Sequence, residues 1–233
     1  MPWDPVWEKI FQQNCAWGKY PGEELVRFIA RSFASRPDRS ACKILEVGCG
    51  PGGNLLFFAR EGFSVFGIDG SPTAVERARK ALDEEFPGLV QQDASHVTRF
   101  SDVCVGQLLS LPYEEGLFDA VVDNEAICCN SFEESQGIFR EINRVLQPGG
   151  RLFSRTFARG CYGDGTGTKV GRNAWVVAEG PLLNEGFNRF TDPDEIPELI
   201  DPLKVISCEM ISRTVENRTQ EIRELIIIGE KRP

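Results

Sequence analysis

A chain of 233 residues with 41% hydrophobic and 26% charged residues can bury one sizeable core, and its length suits one domain with an insertion better than two full domains. Its formal charge of −9 speaks against a nucleic-acid groove or an anionic membrane surface as the main partner. No apolar stretch approaches the roughly 20 residues of a membrane span, and "MPWDPVWEKIFQQ" lacks the basic start and apolar run of a signal peptide, so the expectation is a cytoplasmic protein.

The elements alternate along the chain. Residues 23–35 carry Leu25, Val26, Ile29, Ala30 and Phe33 at helical spacing, and Arg36-Pro37-Asp38 ends that helix. "KILEV" predicts a first strand, followed by the glycine loop 48–53. "NLLFFAREG" predicts a helix with Gly62 just past its end, and "SVFGID" a second strand. Ser71-Pro72 supplies an N-cap and a proline at the first helical position, and Val75, Ala78, Leu82 and Phe86 form the inner stripe of the helix that follows. Residues 87–102 give no clear pattern. "VCVG" (103–106) predicts a third strand and "FDAVVD" a fourth. Ser131 and Glu134 form a capping box for a helix whose Ile138, Ile142, Val145 and Leu146 face inward. "QPGG" turns the chain into a fifth strand, "RLFSRTF". A glycine-rich stretch follows, then a short helix opened by Thr191-Asp192-Pro193, then two β-like segments, 204–213 and 222–229, joined by a turn around 216–218.

Such alternation predicts an α/β fold: a doubly wound, mostly parallel seven-stranded sheet with helices on both faces and a C-terminal hairpin that adds an antiparallel strand. The whole of 1–233 reads as one domain, with an N-terminal helical lid over 1–36 and an inserted segment, 158–190, covering the substrate.

Ligands of doubly wound sheets sit beyond the carboxyl ends of the strands, beside strand one. The loop "GCGPGG" falls there, and glycine lets backbone approach a ligand closely. Asp69 ends the second strand, where a carboxylate can accept both hydroxyls of a ribose. Gly48, Gly50 and Gly53 also fit G-x-G-x-x-G, the dinucleotide fingerprint. Glu46 argues against that reading, because an acid close to a pyrophosphate repels it. It suits a cofactor with positive charge, such as S-adenosylmethionine (SAM), which carries a sulfonium and an ammonium.

"ILEVGCGPGGN" resembles the first motif of the class I SAM-dependent methyltransferases. "VFGIDGSPTAVERAR" resembles the second, "GQLLSLPYEEGLFDAVVDNEAI" the segment through the fourth strand, and "IFREINRVLQPGGRLF" the approach to the fifth. "WGKYPGEELVRF" resembles the leader of some small-molecule members. The resemblance covers roughly 40–160 and implies a Rossmann-like methyltransferase fold and methyl transfer from SAM to a small-molecule acceptor at O or N. It departs from the family pattern at Gln107, where an Asp is usual, at Leu108, where an alanine is usual, and at Cys128-Cys129, where many members carry histidines.

The resemblance assigns the cofactor to Glu46, Gly48, Cys49, Gly50, Asn54, Asp69, Gly70, Gln107, Leu108, Asp123 and Asn124, with Trp17 and Tyr20 folding over it. Backbone carbonyls of Asp123 and Asn124 would join Glu46 in holding the methionine ammonium. Glu125, at the mouth of the site, is the candidate general base. Tyr162, Lys169, Arg172, Trp175, Asn188 and Arg189 are candidates to line the acceptor pocket. His96, the single histidine, reads as a surface residue. Eight cysteines without C-x-x-C spacing give no common zinc pattern, so no metal is expected and the thiols read as reduced. A methyltransferase acting on protein or RNA, a nucleotide-cofactor oxidoreductase and a non-catalytic SAM-binding module stay open as alternatives.

Overall fold

The computed structural model describes residues 4–13, 18–88 and 101–233; Trp17 and His96 lie outside the described residues. The first half alternates strand and helix as the apolar periodicity demands. Helices α1 (Val6–Gln13) and α2 (Glu23–Ser32) precede β1 (Lys43–Val47), α3 (Gly53–Arg60), β2 (Ser64–Asp69), α4 (Pro72–Glu85) and β3 (Ser101–Val105). Then come β4 (Phe118–Asn124), α5 (Phe132–Val145) and β5 (Leu146–Phe157). An insertion follows, with β6 (Thr168–Gly171), β7 (Ala174–Val176) and β8 (Asn188–Arg189). Helix α6 (Ile196–Leu199), β9 (Lys204–Val215) and β10 (Gln220–Glu230) complete the chain.

The main sheet has seven strands in the order β3-β2-β1-β4-β5-β10-β9. β1 pairs in parallel with β2 and β4, and β10 runs antiparallel to both β5 and β9. The chain order reverses between β1 and β4, so the crevice opens beyond the carboxyl ends of these strands.

Two apolar layers flank the sheet. Ile44, Val65 and Ala120 pack with Leu25, Ile29, Phe58 and Ala78 of α2, α3 and α4. Leu45, Val47, Ile68 and Val121 pack with Ile138, Ile142 and Leu199 of α5 and α6. Strand alternation therefore turns Glu46 toward the α2–α4 side. Burying each large aliphatic side chain contributes about 1.5–3 kcal/mol, which is why both faces of β1 read as apolar and why a carboxylate within it stands out. The caps are built as the residues dictate: Ser71 Oγ accepts from the Ala74 N–H, and Ser131 and Glu134 close a capping box on α5.

Two stretches depart from expectation. "QPGG" is not a turn ahead of the fifth strand. It forms an irregular opening of β5, where the Gly149 N–H donates to the Lys231 carbonyl and the Lys231 N–H to that of Gly150. The glycine-rich insertion is not a bare loop. It holds a three-stranded antiparallel sheet, β6-β7-β8, over its own apolar cluster of Trp175, Val177, Leu182 and Phe190. Among the described residues, no helix is long and apolar enough to cross a membrane.

Candidate active site

A cavity of about 460 Å³ opens at the crevice. Its floor is the β1–α3 loop. The Gly48 and Cys49 N–H groups both donate to the Ile68 carbonyl, which holds the loop against the end of β2. Gly48 has φ +66, and a Cβ there would lie 2.2 Å from Ala126 Cβ, so only glycine lets this loop and the β4–α5 turn meet. At Gly53 a Cβ would lie 2.3 Å from the Gly18 carbonyl oxygen, because Gly18 and Lys19 lie directly against the start of α3.

Glu46 is 3% exposed and lines the cavity. Its Oε1 accepts from Asn54 Nδ2 at 2.7 Å, while its Oε2 has no hydrogen-bond partner among the described residues. Burial pushes its carboxyl up to about 8, against the Asn54 bond, which favours ionisation, and with the help of the nearby Asp69 and Asp123 carboxylates. An unpaired buried oxygen costs about 1–3 kcal/mol when left unmade, and a ligand cation at this place would satisfy it.

Asp69 also lines the cavity. Each of its oxygens accepts one backbone N–H at 2.8 Å, Oδ2 from Gly50 and Oδ1 from Ser71. It therefore ties the glycine loop to the start of α4, and each oxygen keeps a further lone pair for a ligand hydroxyl. Burial raises its pKa. Cys49 lines the cavity as a buried thiol held neutral by burial, and Gly50, Asn54, Gly70, Gln107, Leu108 and Asn124 line it as well.

Asp123 is not among the lining residues. Its buried carboxylate turns the other way, accepting from the Ala126 and Ile127 N–H groups at 3.0 Å and from Ser154 Oγ at 2.6 Å. It shapes the turn that presents Asn124 and Glu125. Tyr20 lines the rim with its side chain in solvent, 83% exposed. Trp7 and Phe11 of α1 line the cavity as well. Helix α1 is fastened there by Glu8, which accepts from the Ser71 and Thr73 hydroxyls at the start of α4. The apolar spacing of "VWEKIF" was the available signal for this helix.

The far end of the cavity gathers residues distant in sequence. Glu125 has φ +64, a conformation rare outside glycine, and its N–H donates to the Arg155 carbonyl at 2.9 Å. Arg155 Nε stands 3.0 Å from Glu125 Oε1, and its Nη2 stands 2.6 Å from Glu224 Oε2. Burial pushes the Glu125 carboxyl up to about 8; Arg155 opposes that rise and Glu224 adds to it. Cys129 also lines this end, while Cys128 is buried with its Sγ donating to the Glu125 carbonyl at 3.2 Å. Cys128 thus packs behind Glu125 while Cys129 faces the cavity.

Of the insertion residues expected to line the pocket, Asn188 does so. Arg172 bridges to Glu195 and Glu198 and stacks on Phe132. Trp175 packs on Phe190, with Lys169 and Arg159 over its ring, and Tyr162 joins the same cluster. Arg189 is fully buried, donating to Thr191 Oγ1 at 3.0 Å. Pro181, Leu182 and Glu185 reach the cavity in their place, with Arg213, Ile222 and Glu224 from the terminal hairpin. Among the described residues, no cluster of three or more His, Cys, Asp or Glu side chains is placed to hold a metal ion.

A parallel α/β sheet with a glycine loop and an acid at the ends of its first two strands defines a nucleotide-type cofactor site at the switch point. Comparison with known proteins narrows the class. Residues 45–154 match the family described as Methyltransferase domain. The chain is 30% identical to the malonyl-[acyl-carrier protein] O-methyltransferase of Enterobacter lignolyticus over 169 residues, 71% of this chain and 57% of that protein. It is 28% identical to the norajmaline N-methyltransferase of Rauvolfia serpentina over 137 residues, 58% of this chain and 42% of that one. The chain spans about half the length of these curated relatives. A SAM-dependent methyltransferase from Methanosarcina mazei shares the fold with a TM-score of 0.67 at 22% identity, covering 91% of this chain and 99% of that one. The family match, the curated relatives and the shared fold together support a class I SAM-dependent methyltransferase.

Proposed function

We propose that this protein transfers a methyl group from SAM to a nitrogen or oxygen of a small-molecule acceptor. The observation that carries the reading is Glu46 Oε2, a buried carboxylate oxygen without a partner, on the wall of a cavity floored by the glycine loop. It fits the ammonium of the cofactor's methionine moiety. The Asn124 backbone would complete that contact, Asp69 would take the ribose hydroxyls, and Gln107 and Leu108 would meet the adenine, Gln107 through its amide oxygen.

SAM supplies an already activated methyl, so the chain's work is mainly positioning. Helix α1 closes over the cofactor end and keeps water from it. Phe157, Leu182 and Ile222 shape the apolar part of the acceptor end, where Glu125 stands to hold or take a proton. Two relatives are named as small-molecule or carrier-bound methyltransferases, one acting at N and one at O, which supports the reaction class.

A crystal structure with S-adenosylhomocysteine tests the reading. The sulfur should face the chamber bounded by Glu125, Asn188 and Phe157. A sulfur directed at the closed wall of Gly48 and Ala126 would leave no route for transfer and would indicate a non-catalytic binding module.

A further inference from the structure

Resting on the methyltransferase reading above, we infer that the acceptor is an amine: a small, largely apolar molecule bound through a protonated nitrogen between Glu224, Glu125 and Asn188. The acceptor end of the cavity offers hydrogen-bond acceptors and negative charge. Asn188 is 1% exposed and lines the cavity. Its Nδ2 donates to the Gly186 carbonyl at 3.2 Å, which fixes the amide's orientation, and its Oδ1 has no partner among the described residues. A buried carbonyl oxygen left this way calls for an N–H or O–H from a ligand.

The charges around it point the same way. Three carboxyl groups line this end, Glu125, Glu185 and Glu224, against Arg155 and Arg213. Arg155 is ion-paired to two of the acids, its Nη2 donating to Glu224 and its Nε standing 3.0 Å from Glu125 Oε1 without a hydrogen bond, and Arg213 sits on an exposed stretch of β9. Glu185 is half-buried with no cation paired to it among the described residues, and burial alone raises its pKa. An anionic acceptor would meet repulsion from the three acids, with the Arg155 guanidinium already ion-paired to two of them. A cation would compensate a site that holds more acid than base. Phe157, Leu182, Pro181 and Ile222 leave an apolar wall for the rest of the molecule.

The chemistry balances with what the cluster holds. The acceptor enters as an ammonium and displaces to water the proton that Glu125 carries. One ammonium proton then passes to Glu125, which frees the nitrogen lone pair. That pair forms the N–C bond to the methyl group as the C–S bond breaks, its electrons remaining on sulfur. The positive charge that leaves sulfur arrives on nitrogen, beside the Glu224 carboxylate, so the attraction grows as the reaction proceeds.

The test is binding to the S-adenosylhomocysteine-loaded protein, read by calorimetry. The probes are benzylamine, phenethylamine and 4-phenylpiperidine, against phenylacetate, 3-phenylpropionate and 2-phenylethanol. At least one amine should bind tenfold or more tighter than every carboxylate and the alcohol. Glu224→Gln should weaken that amine at least tenfold and Asn188→Leu severalfold, with S-adenosylhomocysteine affinity held within twofold. Asn188→Asp, which adds an acid without removing Arg155's partner, should tighten the amine, and this arm stands even if Glu224→Gln fails to fold. No amine binding, a preference for carboxylates, or amine affinity indifferent to Asn188→Asp overturns the inference while leaving the cofactor reading intact. Failure of the wild-type protein to take S-adenosylhomocysteine overturns the reading beneath it.

Discussion

The proposed role of Glu46 predicts that cofactor binding is coupled to proton release. Buried among Asn54, Asp69 and Asp123, its carboxyl is pushed up to about 8 in the ligand-free protein. At pH 7 it therefore carries a proton in about nine molecules of ten. An ammonium brought to its unpartnered Oε2 favours the ionised form, so binding expels that proton. Calorimetry of S-adenosylhomocysteine binding at pH 7, in buffers of different ionisation enthalpy, should show about 0.9 proton released. If the bound carboxyl falls below about 5, affinity should rise about eightfold from pH 6.5 to 7.5, the ratio of the ionised fractions. Glu46→Gln should abolish the release, flatten the pH dependence and weaken binding roughly 10- to 100-fold, the worth of a charge-assisted hydrogen bond of about 1.5–3 kcal/mol. The same raised pKa fixes the stability trend. A carboxyl whose folded value exceeds its unfolded one contributes stability that is complete below the unfolded value and lost as pH rises through the folded one. Glu46 and Glu125 near 8 and Asp123 near 6 therefore make the ligand-free protein less stable from pH 5 to 8. Proton release below 0.3, or unchanged by Glu46→Gln, would refute the assignment of the ammonium to Glu46.

Further predictions concern the supports of the site. Glu8→Ala removes the bonds from α1 to Ser71 and Thr73; it should weaken S-adenosylhomocysteine several-fold and expose α1 to limited proteolysis while costing only about 1 kcal/mol of stability. Unchanged affinity and protease resistance would show that α1 is not a cover. Arg189→Ala takes a buried guanidinium from between Thr191 and Ser135 and from the field of Asp123. Urea denaturation should report a loss of roughly 3–5 kcal/mol; a loss under about 1 kcal/mol would refute the view that Arg189 anchors the insertion. Gly48→Ala, with a methyl driven onto Ala126 at a positive φ, should abolish measurable cofactor binding, and retention of wild-type affinity would contradict the close packing of the two loops.

The core of the fold was legible because its signals are local. Apolar runs between caps set β1, β2, β4 and their helices, and the Ser71 and Ser131 caps fell where the residues placed them. The loop end of the cavity was legible for the same reason: Glu46, the glycine loop and Asp69, which line it, sit within 24 residues of one another near strand ends. The acceptor half was not. Glu125, Arg155, Asn188 and Glu224 come from four stretches distant in sequence, and only the order β4-β5-β10 brings three of them together, Glu125 directly after β4. The insertion misled for a different reason. Its glycines mask strands of two to four residues, too short for an alternation to show, and its large side chains serve its own cluster. The inward turn of the Asp123 carboxylate had no signal in the sequence, because the two backbone N–H groups and the serine hydroxyl that hold it come together only in the fold.

The central claim is that the cavity holds SAM, and one titration addresses it most directly. The purified protein is titrated by calorimetry with SAM, S-adenosylhomocysteine and NAD, with Asp69→Ala alongside, since that variant removes the anchor of the Gly50 and Ser71 N–H groups as well as the proposed ribose acceptor. Micromolar binding of SAM and S-adenosylhomocysteine, absent for NAD and lost in the variant, is the expected result. Binding of NAD alone, or of none of the three, would contradict it.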